Sequence, residues 1–203
     1  MTIPATSENV EKAVAALQNG GVIAMPTDTL YALVSDARDA NAVRRVYAIK
    51  GREDGKPLPL FVADLAMARR FAELNDTARR LAQRFWPGAL TIVVNKAPSF
   101  DSEALAGGAT VALRVPDYHL TLAVVSSLDG PITATSANRS GGADPASADE
   151  VRRQLGDEVD LIIDGGVCPV GVSSTIVDCT GAEPRILRLG ALSEASIIAA
   201  LTG

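Results

Sequence analysis

GGVIAMPTDTLYALVSDARDANAVRRVYAIKG, residues 20–51, decides the fold class because strand and helix signals follow one another within it. Val22–Met25 is apolar and stops at a proline, which predicts a short buried strand. Leu30–Val34 is a second apolar run. Asp39 is a suitable cap for a following helix, whose apolar residues recur at helical spacing until Gly51 ends it. Strand and helix therefore lie side by side in this stretch, as in α/β proteins.

The same alternation extends over the rest of the chain. Further helices are predicted over Ser7–Asn19, Asp64–Leu74, Asp76–Phe85, Tyr118–Leu128 and Ala148–Leu155, and from a Ser193 cap to Gly203. Further strands are predicted over Pro57–Val62, Leu90–Val94, Thr110–Val115, Pro131–Thr135, Asp160–Ile163, Ser174–Cys179 and Arg185–Leu189. Several strands are too close in sequence for βαβ crossovers, so antiparallel pairs are expected. We predict one α/β domain of mixed α+β character over residues 1–203, with three layers and helices packed on one twisted mixed parallel and antiparallel sheet.

Composition limits the classes of function. The chain has 203 residues, a net charge of -5 and 47% hydrophobic residues. An acidic chain lacks the excess of Lys and Arg by which general nucleic-acid coat proteins neutralise phosphates. The start of the chain is polar, and no apolar run reaches the ~20 residues that span a bilayer. We therefore expect a soluble, cytoplasmic protein with no membrane partner.

Cysteine and histidine are too few for several familiar sites. Cys168 and Cys179 form no CxxC pair, so a disulfide framework or a zinc knuckle is not expected. Both lie in apolar surroundings, which favours buried, inert thiols. His119 is the one histidine, which excludes a His-rich metal site.

Two short segments carry the types of side chain that hold a nucleotide. KGREDGKPL (50–58) is a basic cluster with two glycines, and TSANRSG (135–141) is a run of hydroxyl and amide side chains after a strand. Lys and Arg neutralise phosphate oxygens, and Ser and Asn hydrogen-bond phosphate, ribose or base. The alternatives are a solvated basic loop for the first segment and a helix cap for the second. No P-loop or GxGxxG motif is present, so phosphate capture would depend on side chains.

Polar residues also interrupt apolar strands. Thr27–Thr29 at a strand-to-strand turn fits plain turn chemistry, although Thr29 and Tyr31 alternate onto one face. Arg114 lies inside an apolar strand, so it is either exposed at a sheet edge or directed into a site. Arg and Ser also lie at other strand ends, and their convergence is what a cleft for an anionic ligand needs.

Taken together, seven strings resemble the YrdC/TsaC family of L-threonylcarbamoyladenylate synthases from about Val10 to Leu192. They are PTDTLYAL, KGREDGKPL, FWPGALTIVV, VALRVPD, TSANRSG, SSTIVD and RILRLGAL. The most specific part is a KxR motif (Lys50, Arg52) followed by an SxN motif (Ser136, Asn138). The resemblance implies a YrdC-like fold. It also implies synthesis of L-threonylcarbamoyl-adenylate from L-threonine, bicarbonate or CO2, and ATP, with release of pyrophosphate. This is the first step of the t6A modification of tRNA, which separate transfer proteins complete.

The resemblance also implies roles for individual residues. Lys50 and Arg52 would neutralise the ATP phosphates, and Ser136 and Asn138 would hold phosphate and nucleotide from the opposite side. Arg188 would be a further nucleotide contact. The threonine pocket would comprise Thr29, Tyr31, Arg114 and Ser174, with Arg114 facing the carboxylate. Mg²⁺ is expected with ATP, and no protein ligand for it is identified.

Three positions depart from the commoner family pattern. Ala32 replaces a usual Gly, Glu53 a frequent Pro, and Phe61 a His that several members have near the threonine. The additional C-terminal domain of longer members is not expected here. Gly166–Ser173 is either a lid over the nucleotide or an ordinary surface loop.

Two other functions stay open. The first is a YrdC-like nucleotide- or RNA-binding module without synthase activity, with a local basic face that touches tRNA. The second is carbamoyl transfer from carbamoyl phosphate, as in hydrogenase-maturation proteins, although the zinc-finger and acylphosphatase-like modules of those proteins are not found here.

Overall fold

The computed structural model describes residues 1–51 and 55–202, and these residues form a mixed α/β structure. The helices are α1 (Val10–Gln18), α2 (Ala40–Lys50), α3 (Leu65–Phe71), α4 (Asp76–Phe85), α5 (His119–Leu128), α6 (Ala148–Leu155) and α7 (Glu194–Thr202). The strands are β1 (Thr2–Pro4), β2 (Ile23–Met25), β3 (Ala32–Val34), β4 (Leu60–Phe61), β5 (Ala72–Glu73), β6 (Leu90–Lys96), β7 (Thr110–Arg114), β8 (Ile132–Thr133), β9 (Thr135–Ser136), β10 (Leu161–Asp164), β11 (Thr175–Asp178) and β12 (Arg185–Arg188). Within this part of the chain, no helix is both long enough and apolar enough to cross a membrane.

Local sequence signals set the helix ends. The Asp39 carboxylate accepts hydrogen bonds from two backbone N–H groups in the first turn of α2, and Gly51 ends that helix with a φ of 58°. Asp64 and Ser147 cap α3 and α6 in the same way. Each cap satisfies N–H groups that have no partner within the helix. The predicted start of α2 is therefore confirmed, and Lys50 lies at its last residue.

The strands form two mixed sheets. The smaller sheet has the order β1-β10-β2-β3-β9. The larger has the order β12-β11-β6-β7-β4-β8, and β5 pairs with the outer part of β6. Both sheets contain parallel and antiparallel pairs, as the short connections predict. The α/β class with mixed strand pairing is thus confirmed.

One short segment passes directly from the larger sheet to the smaller one. Ile132 and Thr133 in β8 pair with β4 of the larger sheet, and Thr135 and Ser136 in β9 pair with β3 of the smaller one. Only Ala134 lies between these two strands. Ile132 also forms an isolated bridge with Asp36. The segment from 132 to 136 therefore passes from one sheet into the other.

The structure differs from the sequence prediction in four places. The predicted single sheet is divided in two, and the predicted strand Pro131–Thr135 is split by this passage. Ala72–Glu73, predicted as helix, pairs with β6 instead, because α3 ends at Phe71. The N-terminal strand β1 was not predicted, and its side-by-side partner is β10. Each difference comes from pairing with a distant strand, which local patterns do not encode.

The larger sheet forms the floor of a cavity by simple alternation. Successive side chains of a strand point to opposite faces. In β7, Val111 and Leu113 are buried in the core, while Thr110, Ala112 and Arg114 line the cavity. In the adjacent β6, Thr91 and Val93 line the cavity in the same way. Neighbouring strands thus place their polar residues on one concave surface.

Candidate active site

A cavity of about 780 Å³ lies where the two sheets meet. Strands β4, β6, β7, β11 and β12 of the larger sheet contribute to its wall. Thr29–Ala32 and Ser136 of the smaller sheet and its turn contribute the opposite side. Lys50 and Lys56, from the end of α2 and the segment after it, also line the cavity, as does the loop after β9. The volume lies in the range of small-molecule sites.

Arg114 is buried at the cavity wall, with its side chain 5% exposed. Its Nη2 donates to the Asp28 carboxylate (2.6 Å), its Nη1 to Thr29 Oγ1 (2.8 Å) and its Nε to the carbonyl of Gly88 (2.9 Å). The guanidinium also lies over the ring of Phe61, 5.6 Å from its centre. Burial lowers the pKa of Arg114, and the charge of Asp28 opposes that shift. Arg114 belongs to β7, which lies between β6 and β4. It is therefore directed into a site and not exposed at a sheet edge.

The threonines of the turn between β2 and β3 have defined hydrogen bonds. Thr27 Oγ1 donates to the carbonyl of Leu30 and accepts from two backbone N–H groups. Its contact with Thr29 Oγ1 (3.0 Å) is therefore donated by Thr29, which in turn accepts from Arg114. The turn chemistry expected for this segment is present, and it also supports Arg114.

Tyr31 is fully buried, and its hydroxyl is held by backbone groups. It donates to the carbonyl of Gly166 (2.9 Å) and accepts from the N–H of Gly165 (2.9 Å). Burial raises the pKa of Tyr31. Tyr31 lines the cavity, and its hydroxyl fixes the start of the loop from Gly166 to Ser173.

That loop is attached to the turn below it. The N–H of Val170 donates to the carbonyl of Asp28 (3.1 Å), and the N–H of Gly171 donates to that of Thr29 (3.0 Å). Val170 itself is exposed. The loop therefore lies directly against the turn that carries Thr29.

Ser174 and Arg188 form a second polar pair at the cavity wall. Arg188 Nη2 donates to the carbonyl of Ser174 (2.8 Å), and Ser174 Oγ shares a hydrogen bond with Thr91 Oγ1 (2.8 Å). Burial lowers the pKa of Arg188, and the charge of Asp144 opposes that shift. The positive charges of Arg114 and Arg188 disfavour one another. An anion bound between them would relieve this repulsion.

Lys50 connects the end of α2 to the SxN motif. Its Nζ donates to the carbonyls of Ser136 (2.6 Å) and Asn138 (2.9 Å) and to Asn138 Oδ1 (3.0 Å). Ser136 Oγ donates to Asn138 Oδ1 (2.7 Å), and Asn138 Nδ2 donates to the carbonyl of Gly142. Lys50 is 4% exposed. Its ammonium is therefore an internal part of the loop that carries Ser136 and Asn138.

The structure brings the predicted site residues together. Those within the described part of the chain all line this one cavity, namely Thr29, Tyr31, Lys50, Arg114, Ser136, Asn138, Ser174 and Arg188. Arg52 lies outside the described residues, as does Glu53. The family resemblance implies that Ser136 and Asn138 lie opposite Lys50, whereas in the structure Lys50 binds both residues directly. Ala32 and Phe61 also line the cavity.

Several polar residues at or behind the cavity were not assigned a role from the sequence. Asp28 pairs with Arg114, Thr91 with Ser174, and Asp144 and Lys56 lie in the cavity wall. The sequence contained a signal for Asp28. Arg114 lies in an apolar strand and needs a counter-charge if it is buried, and Asp28 is an acid next to Thr29, a predicted threonine contact.

The two cysteines and the histidine do not line this cavity. Cys168 and Cys179 are buried, as predicted, and burial raises the pKa of both thiols. His119 lies in a separate cavity of about 290 Å³ beside the start of α5. Among the described residues, no three His, Cys, Asp or Glu side chains are close enough to hold a metal ion.

Comparison with known proteins places these features in a family. The family model Sua5/YciO/YrdC, described as "Telomere recombination", matches residues 15–190. The threonylcarbamoyl-AMP synthase of Bacillus subtilis is 36% identical, with 95% of this chain and 56% of that protein covered. A putative threonylcarbamoyl-AMP synthase of Mycobacterium tuberculosis is 38% identical, with 92% and 86% covered.

A solved structure is similar over the whole chain. The crystal structure of Pyrococcus abyssi Sua5 complexed with L-threonine superimposes with a TM-score of 0.94 at 34% identity. It covers 100% of this chain and 60% of that one. The chain thus spans little more than half the length of the Bacillus and Pyrococcus relatives. On the family match and these similarities, the chain belongs to the Sua5/YciO/YrdC family.

Proposed function

We propose that this chain is a nucleotidyltransferase that makes L-threonylcarbamoyl-adenylate from L-threonine, bicarbonate or CO2, and ATP. One observation carries the proposal. A single cavity holds both the Arg114–Thr29 pair, suited to a carboxylate, and the Lys50–Ser136–Asn138 cluster, suited to a phosphate. The similar Bacillus protein is named a threonylcarbamoyl-AMP synthase, and the similar Pyrococcus structure contains L-threonine.

The proposed chemistry depends on positioning and electrostatic stabilisation. The threonine amine attacks CO2, so a C–N bond forms and the nitrogen loses a proton, which gives a carbamate. A carbamate oxygen then attacks the α-phosphorus of ATP. A P–O bond forms there as the bond to the β-phosphate oxygen breaks, and pyrophosphate leaves with that electron pair. No side-chain nucleophile takes part.

The described residues have distinct tasks in this scheme. Arg114, with its guanidinium held by Thr29, binds the amino acid carboxylate, and Arg188 lies beside it with a second positive charge. The Lys50 amino group lies in the wall next to Ser136 and Asn138, where the phosphates would lie. Charge-assisted hydrogen bonds are worth roughly 1.5–3 kcal/mol each. The raised pKa values of the cysteines keep both thiols protonated near neutral pH, consistent with their having no nucleophilic role.

Mg²⁺ fits this cavity as an ion that arrives with ATP. Such an ion keeps most of its coordination from phosphates and water, with one or two protein carboxylates. Asp144 is the cavity carboxylate facing Arg188, and its only hydrogen-bond contact among the described residues is a long one from Asn138 Nδ2 (3.4 Å). We propose Asp144 as the residue that would approach the ion. The ion would supply neutralisation of charge on the phosphates.

The direct test is pyrophosphate release from ATP and bicarbonate, with L-threonine and with a panel of other amino acids. We expect release that depends on threonine. Release with another amino acid would support the chemistry but reject the threonine contacts. Ala32 and Phe61 would then be the first residues to replace, by the Gly and His of the commoner family pattern. ATP or RNA binding without release would favour the binding-module function. Release that depends on carbamoyl phosphate would favour carbamoyl transfer.

Arg52, which the sequence assigns to the phosphates, provides a specific variant. We expect Arg52→Ala to reduce threonine-dependent pyrophosphate release severely while the melting temperature stays that of the wild type. Wild-type turnover by this variant would reject the assignment of Arg52.

The proposed product is a reactive mixed anhydride, so we also propose that separate transfer proteins consume it in the t6A modification of tRNA. A cytoplasmic location is part of the same proposal. Fractionation of cells and a search for t6A loss on depletion of this protein test these two points.

A further inference from the structure

Asp28 lies behind the cavity wall rather than in it. Its side chain is 10% exposed, and it does not line the cavity, whereas its neighbours Thr27 and Thr29 do. It belongs to the turn between β2 and β3, on the smaller sheet. Its partner Arg114 belongs to β7 of the larger sheet. The pair therefore crosses the junction of the two sheets.

One carboxylate oxygen of Asp28 accepts two hydrogen bonds. Oδ1 accepts from Arg114 Nη2 (2.6 Å) and from the backbone N–H of Asp117 (3.1 Å). The carbonyl of Asp28 accepts from Val170 in the loop above it. Asp28 is thus fixed on two sides, and the backbone N–H of Asp117, in the segment after β7, sets the position of its Oδ1 relative to Arg114.

Arg114 has little freedom of its own. Its Nε and Nη1 are bound to Gly88 and Thr29, and Asp28 supplies the contact to the remaining nitrogen. A planar guanidinium with all three nitrogens engaged can present its other N–H groups in one orientation only. Truncating Asp28 would release one end of that plane.

From this geometry we infer that Asp28 is a positioning residue, which fixes the plane of the Arg114 guanidinium for the carboxylate of the amino acid substrate. The inference rests on the proposed function, whose amino acid substrate it uses. The decisive property is where the oxygen lies, not its charge. A ligand carboxylate could not bind a guanidinium bidentately if the plane were free to tilt.

Two substitutions separate position from charge. Asp28→Asn keeps an oxygen at the same place, able to accept from both Arg114 and Asp117, but removes the charge. Asp28→Glu keeps the charge but moves the oxygens by one methylene. If Asp28 acts through its position, the Asn variant should bind threonine like the wild type, and the Glu variant should bind it more weakly. A role in charge balance alone predicts the reverse order.

Asp36 offers a matched control. Its carboxylate is similarly covered, 13% exposed, and it also pairs with an arginine, Arg38 (2.7 Å). It follows β3 in the same part of the chain, and it does not line the cavity. Asp36→Asn and Asp36→Glu therefore report what the same two changes do in an arginine pair away from the site.

The experiment is titration calorimetry of L-threonine and, separately, of ATP with the full chain and the four variants. We expect threonine affinity within about threefold of the wild type for Asp28→Asn and about tenfold weaker or more for Asp28→Glu. Affinity for ATP stays unchanged in both, and both Asp36 variants bind threonine normally. Equal threonine affinity in all variants, the reverse order, or joint loss of threonine and ATP affinity would overturn the inference.

The experiment also gives a clear result if one variant does not fold or if the wild type releases no pyrophosphate. Should Asp28→Glu not fold, Asp28→Ser replaces it, since its hydroxyl is too short to reach Arg114, and the same threonine loss is expected. Should the wild type bind threonine but release no pyrophosphate, the proposed function fails, while the calorimetric order of the variants still decides the role of Asp28.

Discussion

At the scale of single residues, two buried basic side chains of the cavity are held by groups from distant parts of the chain. Lys50 is held by residues of the loop after β9, and Arg114 by the turn after β2. A buried charge without partners is costly, and removing its partner costs more than the pair contributes. These contacts therefore serve the cavity and the fold together, which makes single substitutions informative about both.

Lys50→Met provides the first prediction at this scale. The variant keeps the length of the side chain but leaves the three oxygens around Nζ without that donor. We expect pyrophosphate release to fall on the order of 100-fold. The free energy of unfolding should fall by about 1–3 kcal/mol in urea titrations.

Lys96→Met is the control for this substitution. The Lys96 ammonium binds the carbonyl of Phe100 (2.7 Å), and Lys96 does not line the cavity. Its variant should keep the wild-type rate. An unchanged rate in Lys50→Met would reject the role of Lys50.

Cys179 gives a prediction for alkaline pH. Burial raises the pKa of its thiol from 9.0 to about 11, so the folded state keeps the proton over a range where the unfolded chain loses it. Stability from this group is complete below pH 9 and is lost as the pH rises toward 11, on the order of 2 kcal/mol. Urea unfolding of the wild type and of Cys179→Ala at pH 8, 9.5 and 11 measures this. The difference between the two curves should shrink with pH, and parallel curves would contradict it.

At the scale of elements, helix α2 shows what the sequence could predict. Its cap at Asp39, its apolar face and its end at Gly51 are all local signals, and the structure has them where expected. The strand around Arg114 was also predictable, because alternation needs only the strand itself. These features bring Lys50 and Arg114 to their places.

Other features of the site depend on pairing between distant strands. The ion pair of Arg114 with Asp28 and the division into two sheets follow from contacts between residues far apart in sequence. Composition and residue spacing do not report which distant residues come into contact. Composition alone therefore favoured plain turn chemistry for the threonine turn, and its contact with Arg114 could not be predicted. The KxR and SxN motifs were identified from resemblance, not from their contact.

The end of α2 supplies a prediction at this scale. Gly51 has a φ of 58°, a left-handed conformation, and a Cβ there would meet nothing within 4 Å. Any cost of substitution is therefore conformational. Gly51→Ala should lower the free energy of unfolding by about 1 kcal/mol, and Gly51→Asn by less, because Asn tolerates this conformation. Urea titration measures the free energy of unfolding of both variants. An equal loss in both would indicate that the left-handed conformation does not determine the cost of substitution.

At the scale of the whole molecule, the cavity lies where the two sheets meet. Ligands bound there would contact residues of both sheets. Binding to the folded state alone stabilises it by about 2.7 kcal/mol when the ligand is present at 100 times its Kd. We therefore expect the two substrates to hold the sheets together.

Thermal unfolding tests this expectation. ATP with Mg²⁺, added at about 100 times its Kd, should raise the Tm by roughly 5–10 °C. Threonine should add a further increase, and alanine in its place should add less. The Lys50→Met variant serves as the control, with a smaller response to ATP. A Tm that does not respond to either substrate would contradict binding in this cavity.

The passage between the sheets constrains which changes of length the protein can accept. Thr133 and Thr135 lie in different sheets with one residue between them, and the N–H of Ala134 donates to the carbonyl of Pro59 (2.7 Å). Removing or adding one residue here would turn the side chains of β9 to the opposite face of the smaller sheet. Ser136 and Asn138 would then leave Lys50. The length of segment 132–138 is therefore fixed by strand pairing on one side and by the contacts of Lys50 on the other.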